Sequence, residues 1–502
     1  MKKTILLFTL LSLLGKLTAF GRELFLAYYY GTSVTSDTYL MSMTIPVTLY
    51  GFISTGIISG YIPIYTNLCR EKGRKEASIF TNKSMTFLLC VCGVLTGGYF
   101  LFSEQIIRIV ASGFSEEAIN LTIQFTNITV FAIFFSCITT VLTGYLQANN
   151  KVHATAIISV PANCCIILSI ILSFILNNVY ILPIGYVLSC VMQFLFLLFF
   201  AKKQEFSYRL CLGIKDKNVQ SFIKSISVLA LGSSVNQINA LVDRMIASNI
   251  AVGGVSVFEY AKRVDDFLIG VFIFPICTVL FPKLAETNHN LGKFKKHLTD
   301  GIFSLTLILV PITAIVVIFA KPIVKFLFYR GAFGDEALKL TSGVVMFYAV
   351  GLMAVALREL LAKAFYSLSD TKTPMINAMI GMILNIGLNI VFAYWIGISG
   401  LALATSVAGI FTVALLTVSL RKKIGKIGIG IQSKKICVII ICTVISSIVS
   451  YFIYNLLMKN IYEIIALGIS AIFFAIIYCC MLIIFKIVDI ESVLQIIRKR
   501  RN

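Results

Sequence analysis

Charged side chains recur inside stretches of this sequence that are apolar and long enough to cross a lipid bilayer. The first such stretch contains Lys16, Arg22 and Glu23, and the seventh ends in Asp243 and Arg244. The eighth carries a cluster of charges, which are Glu259, Lys262, Arg263, Asp265 and Asp266. A charge at the centre of a bilayer costs at least about 2.5–3.5 kcal/mol on insertion scales. Such side chains normally face a polar cavity or an opposite charge, so this pattern indicates a route for a polar substrate through the membrane.

The composition assigns the chain to a broad class. Of its 502 residues, 58% are hydrophobic and only 13% are charged, and the mean hydropathy is +0.94. A soluble protein has about 25% charged residues. Apolar stretches of about 20 residues recur along the whole chain. We therefore predict an all-α polytopic membrane protein with about fourteen transmembrane helices and no sizeable aqueous domain.

The net charge of +21 would suit a protein that binds nucleic acid, but the distribution of the basic residues argues against such a partner. The basic residues collect in alternate loops and in the tail, at 70–75, 202–217, 283–296, 421–426 and 498–501. Intervening loops such as 31–37 contain no Lys or Arg. This positive-inside pattern predicts that both termini are cytoplasmic. The basic surface is also expected to attract anionic membrane lipids.

The sequence repeats itself weakly at a period of about 220 residues. Arg22 and Gly31, at the end of the first span, align with Arg244 and Gly253 at the end of the seventh. Because each copy holds an even number of spans, the copies are expected to be parallel and related by an axis along the membrane normal. We predict two six-helix lobes around a central cavity, an added transmembrane hairpin and a basic cytoplasmic tail, at 1–205, 218–425, 434–486 and 487–502.

The embedded charges also have a purely structural interpretation, since several of them can pair within one helix. Glu259 and Asp266 lie four positions before and three positions after Arg263, and Glu359 lies four positions before Lys363. Charge counting does not decide between pairs that lock helices together and a cavity for a substrate. The whole set of embedded charges favours a cavity.

Catalytic chemistry has little support in the sequence. Its cysteines and histidines show no metal-ligand or nucleophile spacing, and there is no Gly-rich phosphate-binding loop that ends in Lys and Ser or Thr. A membrane glycosyltransferase would need Asp265 and Asp266 as metal ligands, yet both lie deep in a predicted span. We therefore expect a transporter rather than an enzyme, and no direct use of ATP.

Several stretches carry a resemblance to a known family. They are 21–23 with Gly31, Asp37 and Pro46, then 242–248, 259–263, 281–284 and 363–374. In this order and spacing they resemble the MurJ (MviN) lipid II flippases of the multidrug/oligosaccharidyl-lipid/polysaccharide exporter superfamily, over about residues 10–425. Members of that family have two six-helix lobes and two extra helices. The resemblance therefore implies the architecture that the repeat predicts.

The resemblance also implies a function. The family flips lipid II, the undecaprenyl-diphosphate-linked peptidoglycan precursor, from the inner to the outer leaflet by alternating access. It implies a place in the bacterial cytoplasmic membrane, lipid II as the substrate and cell-wall synthesis proteins as further partners. The lipid tail is implied to lie along the hairpin at 434–486. Arginine suits the diphosphate because it can donate two parallel hydrogen bonds to phosphate oxygens.

Residues of a diphosphate site in the central cavity are implied by position. Arg22 and Arg263 match cavity arginines of the family, and Asp37 and Ser256 match further functional positions. Glu23 takes the place of the usual Asp beside the first arginine. These five residues are the core of the expected site.

Two positions depart from the family pattern. The family often has Asn and Arg where this chain has Val47 and Tyr50, so a third cavity cation is missing. The anion site is then either weaker or completed by another cation, for which Lys16, Lys262 and Arg358 are candidates. The departure keeps open a capsule or O-antigen type of lipid-linked intermediate as the substrate. A membrane glycosyltransferase and a non-transporting cell-wall scaffold are the remaining alternatives.

The resemblance further implies an ion site. Asp243, Asn385, Asn389 and Thr405 fall where some family members bind sodium, and oxygen ligands suit a hard cation. However, Asn389 stands where a carboxylate would be expected, and buried asparagines often serve helix packing instead. We expect no other cofactor. Transport is expected to be driven by an ion gradient, such as that of sodium, or by the membrane potential.

Overall fold

The computed structural model describes residues 2–428, 430, 432–459 and 461–487, and these residues form helices and no strands. The α-helices are, in chain order, α1 Lys2–Tyr30, α2 Val34–Glu71, α3 Arg74–Leu101, α4 Ser103–Val110, α5 Glu116–Thr129, α6 Ala132–Ala148, α7 Val152–Ile157, α8 Ser159–Ile175, α9 Ile181–Lys202, α10 Lys217–Ile250, α11 Gly254–Leu268, α12 Phe274–Glu286, α13 Leu291–Ile318, α14 Ala320–Phe328, α15 Asp335–Ser367, α16 Lys372–Ile396, α17 Ser399–Ile424, α18 Ser433–Leu457 and α19 Glu463–Ile484. A π-helical segment, Ile269–Ile273, separates α11 from α12. The predicted all-α fold is confirmed. Apart from its first residue, the basic tail predicted at 487–502 lies outside the described residues.

Twelve helical stretches in the described part of the chain are long and apolar enough to cross a membrane. Helices α1 and α10, with 29 and 34 residues, are also long enough, but they are not among the twelve. They are the helices that carry Arg22 with Glu23 and Asp243 with Arg244. The chain is therefore an integral membrane protein with many spans, as predicted, whereas the exact count of fourteen is not confirmed.

Side chains that bind backbone N–H groups mark the start of several helices. Ser33 and Ser36 cap α2 reciprocally, since each hydroxyl accepts from the other residue's backbone N–H, at 2.9 and 3.3 Å. Asp216 caps α10 by accepting from Asn218 N at 2.9 Å. It also accepts from Lys83 Nζ at 2.7 Å, and this hydrogen bond lowers the pKa of Asp216. The connection from α9 to α10 is thereby attached to α3.

The order of helices repeats along the chain. Helix α3 is followed, after Phe102, by the eight-residue α4, and α13 is followed, after Phe319, by the nine-residue α14. The two phenylalanines have similar backbone angles, with φ −125° and ψ 23° at the first and φ −104° and ψ 21° at the second. The same succession in both halves agrees with a sequence repeat of about 220 residues.

The chain forms two compact units. The first consists of Met1–Tyr260 with Arg330–Ala337, and the second of Ala261–Tyr329 with Leu338–Asn502. The boundaries predicted for the two six-helix lobes stay a prediction.

Aromatic side chains form much of the core of the first unit, where α2, α3 and α10 meet. The ring of Tyr61 lies 5.6 Å from that of Phe80 and 6.4 Å from that of Phe222. The hydroxyl of Tyr61 shares a 2.6 Å hydrogen bond with Thr81 Oγ1, which satisfies its polar end inside an apolar core.

In the second unit the hairpin of α18 and α19 packs against α13 and α14. Tyr478 on α19 donates to the backbone oxygen of Leu307 on α13 at 2.8 Å. Lys325 on α14 lies 2.5 Å from Glu463 on α19. The segment that the sequence predicts as an added hairpin, 434–486, falls on these two helices.

Candidate functional site

Arg22 lies on α1 and pairs with the residue next to it. Its Nη2 atom is 2.5 Å from Glu23 Oε1. The side chain of Glu23 is 1% exposed and that of Arg22 is 18% exposed, so the carboxylate is enclosed while the guanidinium keeps some access. A buried carboxylate is strongly disfavoured without an opposite charge. Each side chain of this pair therefore makes the burial of the other tolerable.

A second arginine–glutamate pair in the same unit joins α10 to α11. Arg244 Nε donates to Glu259 Oε1 at 2.7 Å, and the two side chains are 16% and 3% exposed. The carboxylates of Asp243 and Glu23 also act electrostatically on Arg244. Arg22, Arg244 and these three carboxylates form one polar cluster, which we call the arginine cluster. With two cations and three anions, it has no net positive charge.

Arg244 is not among the site residues that the sequence predicts. The signal was present, because Arg244 aligns with Arg22 in the internal repeat, and both turn out to pair with a buried glutamate. For Glu259 the sequence indicated a partner within its own helix, at Arg263, and the structure adds Arg244 from α10. Helical spacing identifies side chains on one face, but it does not identify a charge brought by a neighbouring helix.

Asp37 and Ser256 meet at a junction between the start of α2 and the start of α11. Asp37 Oδ2 accepts from Gly253 N and Asp37 Oδ1 accepts from Ser256 N, both at 2.8 Å, and Ser256 Oγ also donates to Oδ1. Asp37 is 2% exposed. N–H groups in the first turn of a helix lack partners within the helix, and the helix dipole favours an anion there. Asp37 therefore caps α11 from another helix.

Further hydrogen bonds close this junction. Ser36 Oγ and Ser256 Oγ share a hydrogen bond of 2.8 Å. The hydroxyl of Tyr260 donates to the backbone oxygen of Gly31 at 2.9 Å, and Ser36 Oγ lies 3.0 Å from the same oxygen. All of these side chains are buried, so the junction is a sealed polar contact.

Two turns at the junction require glycine. Gly31 and Gly253 have φ values of +56° and +81°, which lie in the left-handed region. A Cβ atom would lie 2.3 Å from the backbone oxygen of Ala332 at Gly31, and 2.4 Å from that of Thr32 at Gly253. Both the backbone conformation and the close approach therefore exclude a side chain at these positions.

The structure distributes the remaining candidate residues over both units. In the first unit, Lys16 is exposed on α1. In the second unit, Lys262 is half-buried, Arg358 is exposed, and Arg263 Nη1 lies 3.7 Å from Asp266 Oδ2. The predicted contact between Glu359 and Lys363 is present at 3.5 Å.

Tyr50, which stands where the family often has Arg, has a packing role in this chain. Its hydroxyl shares a 2.6 Å hydrogen bond with Thr140 Oγ1. Its ring packs against buried side chains that include Cys92, Ile133 and Cys137. The position that would supply a third cation is therefore occupied by an aromatic contact between helices.

Three of the four candidate sodium ligands lie together in the second unit. Asn389 Nδ2 donates to Asn385 Oδ1 at 3.1 Å, and Asn385 Nδ2 donates to Thr405 Oγ1 at 3.3 Å. Asp243 belongs to the first unit, where its Oδ2 accepts from Asn239 Nδ2 at 3.4 Å. Amide and hydroxyl oxygens are chemically suited to sodium. Within the described part of the chain, no three His, Cys, Asp or Glu side chains cluster in a way that could hold a metal.

An apolar groove of about 710 Å³ lies between α13 and α18 in the second unit. Its lining is mainly aliphatic, with side chains such as Val310, Val317 and Val444. Thr313 and Ser447 also line it, and their hydroxyls are buried without a hydrogen-bond partner among the described residues. The groove has the size and the apolar character that a hydrocarbon chain requires.

The family model and the similar proteins that the chain matches all point to one family. The chain matches the family model described as lipid II flippase MurJ over residues 26–472. It is 25% identical over 463 residues to the probable lipid II flippase MurJ of Rickettsia prowazekii (strain Madrid E), and the aligned region covers 90% of this chain and 90% of the relative. It is 27% identical over 434 residues to the protein of the same name from Thermotoga maritima, covering 86% of this chain and 88% of the relative. The Vibrio cholerae protein of that name is 37% identical over 239 residues, 47% of this chain and 45% of the relative.

Solved structures agree on the fold. A structure described as lipid II flippase MurJ, inward closed conformation, matches with a TM-score of 0.81 at 23% identity, covering 96% of this chain and 98% of that one. An inward-facing multidrug resistance MATE family transporter of the MOP superfamily matches with a TM-score of 0.69 at 15% identity, covering 82% and 95%. At these identities the likeness concerns the fold alone.

Proposed function

Because this chain belongs to the MurJ lipid II flippase family, we propose that it moves lipid II from the inner to the outer leaflet of the bacterial cytoplasmic membrane by alternating access. The observation that carries the proposal is the match to the family over residues 26–472. Members of this family are transporters rather than enzymes. The relatives are named for lipid II, so a capsule or O-antigen intermediate is not favoured as the substrate.

The arginine cluster suits the diphosphate of lipid II. Arg22 uses Nη2 toward Glu23, but a guanidinium has five N–H donors and can bind phosphate oxygens through two of them. Arg244 has the same chemistry beside Glu259. The diphosphate would bind to Arg22 and Arg244 either while they stay paired with Glu23 and Glu259 or by displacing these glutamates.

The glutamates make such binding reversible. Without substrate, Glu23 and Glu259 neutralise Arg22 and Arg244, so that no arginine is left buried as an uncompensated charge. When the diphosphate leaves, the ion pairs can form again. A flippase needs this balance, because its substrate must be released on the other side of the membrane.

Cations of the second unit are the next candidates for contact with the diphosphate. The ion pair of Arg263 with Asp266 is long, at 3.7 Å, and the Arg263 side chain is 33% exposed. A guanidinium has five N–H donors, so Arg263 can bind phosphate oxygens as well as a carboxylate. Lys262 and Arg358, together with Lys16 of the first unit, are candidates to supply the charge that Tyr50 does not provide.

The groove between α13 and α18 is the proposed site of the lipid tail. Aliphatic side chains such as Val310 and Val444 can contact hydrocarbon, while the headgroup alone passes through the polar part of the protein. The hairpin helix α18 forms one wall of the groove. The hairpin would then hold the lipid tail, as the family resemblance implies.

The junction around Asp37 would open during outward release. If both termini are cytoplasmic, as the distribution of basic loops predicts, the turns at Gly31 and Gly253 lie on the outer side. The hydrogen bonds of Asp37 with Gly253 and Ser256 then close the outer side. They would have to break in each transport cycle.

Transport would be driven by a sodium gradient or by the membrane potential. Sodium would be bound by the oxygens of Asn385 and Thr405, with Asn389 beside them. The membrane potential is the other candidate, since it acts on any charge that moves across the membrane. Cell-wall synthesis proteins remain proposed partners.

Complementation of a flippase-depleted bacterium tests the proposed function. The chain is expected to restore growth and the amount of lipid II accessible on the outer face of intact cells. Arg22→Ala and Arg263→Ala are expected to abolish this exposure, because each removes charge-assisted hydrogen bonds of about 1.5–3 kcal/mol from the bound diphosphate. Arg108→Ala is the matched control, since Arg108 is an exposed arginine paired with Glu104 and Glu116 on the surface.

The outcomes of this experiment separate an error in the site from an error in the substrate. Normal lipid II exposure in a variant that lacks both Arg22 and Arg263 contradicts the site. Movement of a capsule or O-antigen intermediate but not of lipid II contradicts the substrate. Membrane-inserted protein is quantified for every variant, so that loss of folding is separated from loss of transport.

A further inference from the structure

A second large cavity, of about 540 Å³, lies in the first unit between α3, α6 and α9. Leu89, Ile138, Phe194 and Leu198 form its apolar walls. Lys202, the last residue of α9, also lines it. Because Phe194 and Lys202 are eight positions apart on one helix, the cavity follows α9 over about 12 Å. Its polar end is therefore the end at which the membrane-spanning helix stops.

The segment that follows α9, residues 204–214, covers this polar end, and we call it the strap. It contributes Tyr208 to the cavity wall. The hydroxyl of Tyr145 donates to the backbone oxygen of Gln204 at 2.7 Å, and the hydroxyls of Tyr208 and Thr86 share a hydrogen bond of 3.0 Å. The strap is therefore held to α3 and α6 by specific contacts.

The strap exposes apolar side chains between basic ones. Leu210, Leu212 and Ile214 are 78%, 66% and 55% exposed, and Arg209 and Lys215 flank them. Exposed aliphatic side chains next to cations are typical of segments at a membrane interface, where the apolar groups enter the acyl boundary and the cations stay among the headgroups. The polar end of the cavity therefore lies at the level of the lipid headgroups.

We propose that this cavity binds an acyl chain of an anionic phospholipid whose phosphate contacts Lys202. Its volume falls within the range of about 300–1,000 Å³ that is usual for ligand pockets, and its apolar walls suit hydrocarbon. The charges around its polar end are Lys202, Lys203, Arg209, Lys215 and Lys217 against Glu205 and Asp216. Asp216 is already paired with Lys83. This excess of positive charge selects an anionic headgroup over a zwitterionic one.

Lys202 and its neighbour Lys203 differ in one decisive respect. Lys202 lines the cavity, whereas Lys203 Nζ lies 4.3 Å from the centre of the Phe199 ring, in a cation–π contact. The two lysines carry the same charge and occupy the same helix end. Lys203 is therefore a matched control for a contact that depends on the cavity rather than on the overall basic surface.

Bound lipid would brace the strap against the helices beneath it. The strap connects α9 to α10, and so it connects the two sequence repeats. We expect an anionic lipid in the cavity to raise the thermal stability of the protein, because a ligand that binds only the folded state shifts the equilibrium toward that state.

The test uses the purified full chain in mixed micelles with phosphatidylglycerol or phosphatidylcholine of identical acyl chains. Native mass spectrometry counts retained lipid, and thermal unfolding gives Tm. Phosphatidylglycerol is expected to be retained more and to raise Tm. Lys202→Gln is expected to weaken its binding about fivefold, and Lys203→Gln less than about twofold. Leu198→Trp, or Ile138→Trp from another wall, should obstruct the cavity and reduce the retained lipid.

Three results would overturn the proposal. Equal retention of the two lipids would remove the role of charge. Equal effects of Lys202→Gln and Lys203→Gln would indicate a diffuse basic surface. Undiminished retention in both folded tryptophan variants would show that the acyl chain lies elsewhere. None of these measurements includes lipid II, so their outcome is independent of the proposed transport function.

Discussion

Ser36 and Ser256, which lie 220 positions apart, share a hydrogen bond of 2.8 Å between their hydroxyl groups. The residues that align in the repeat, Arg22 with Arg244 and Gly31 with Gly253, are 222 positions apart, so the two serines are not equivalent residues of the two copies. Their hydrogen bond instead joins the start of α2 to the start of α11, and each of these helices follows one of the two aligned glycines.

The acidic residues that follow the two aligned glycines have different partners. Asp37 lies six positions after Gly31, and Glu259 lies six positions after Gly253, so the two are equivalent in the repeat. Asp37 accepts hydrogen bonds from the backbone at the start of α11, whereas Glu259 pairs with Arg244. The same position of the repeat therefore caps a helix in one copy and neutralises an arginine in the other.

Asp37→Asn is expected to weaken the junction. Asn keeps the size of the side chain but offers a single oxygen to the donors of Gly253 and Ser256, and it lacks the charge that the start of α11 favours. The expected loss is about 1.5–3 kcal/mol for hydrogen bonds to a charged group. Thermal unfolding of the purified variant measures it. Ser36→Ala, which removes a contact between neutral groups, should lower Tm less, and an equal or larger effect would contradict the capping role of Asp37.

Arg244→Lys is expected to reduce lipid II exposure in the depleted bacterium while the protein still folds. Lysine keeps the charge beside Glu259 but cannot donate two parallel hydrogen bonds to the diphosphate. Arg244→Ala should also destabilise the fold, by about 3–5 kcal/mol, because it leaves a buried carboxylate without its partner. The double variant with Glu259→Ala should recover part of that stability but no transport. Recovery of transport in the double variant would mean that the pair has a structural role only.

A sodium-specific rise in Tm is expected if Asn385, Asn389 and Thr405 bind the ion. Tm is compared in sodium and potassium chloride at equal ionic strength. Asn389→Asp should enlarge the rise, because a carboxylate adds charge to the set of oxygen ligands. Asn385→Ala should abolish it, and Asn377→Ala, on the same helix, serves as the control. Identical Tm values in both salts, for the wild type and for Asn389→Asp, would rule out sodium binding here.

The loop before α16 provides a pH-dependent contribution to stability. The hydrogen bond from Lys423 Nζ, at 2.9 Å, lowers the pKa of Asp370 to about 2. Because this pKa lies below the unfolded value of about 3.9, the contribution is present at neutral pH and is lost as the pH falls from about 4 toward 2. Asp370→Asn should therefore lower Tm at neutral pH, and the difference from wild type should shrink over that interval. A difference that persists unchanged down to pH of about 2 would contradict this assignment.

Local properties of the sequence carried most of the fold prediction. Apolar stretches about 20 residues long identify membrane-spanning helices, because a helix in lipid satisfies its backbone hydrogen bonds by itself. Alternating basic loops and the repeat that aligns Arg22 with Arg244 are also visible along the chain alone. The motif around Asp370 is local as well, since it joins consecutive helices.

The partner of each buried charge was decided only by the tertiary structure. Glu259 pairs with Arg244 from another helix, Asp37 caps a helix that begins more than two hundred positions later, and Tyr50 packs where a cation was expected. The sequence by itself determined the class of protein, its family, its helices and the positions of its embedded charges. Which charges neutralise each other depends on distances of a few ångströms between helices that are remote in sequence, because electrostatic and hydrogen-bond energies at low dielectric fall off over that range.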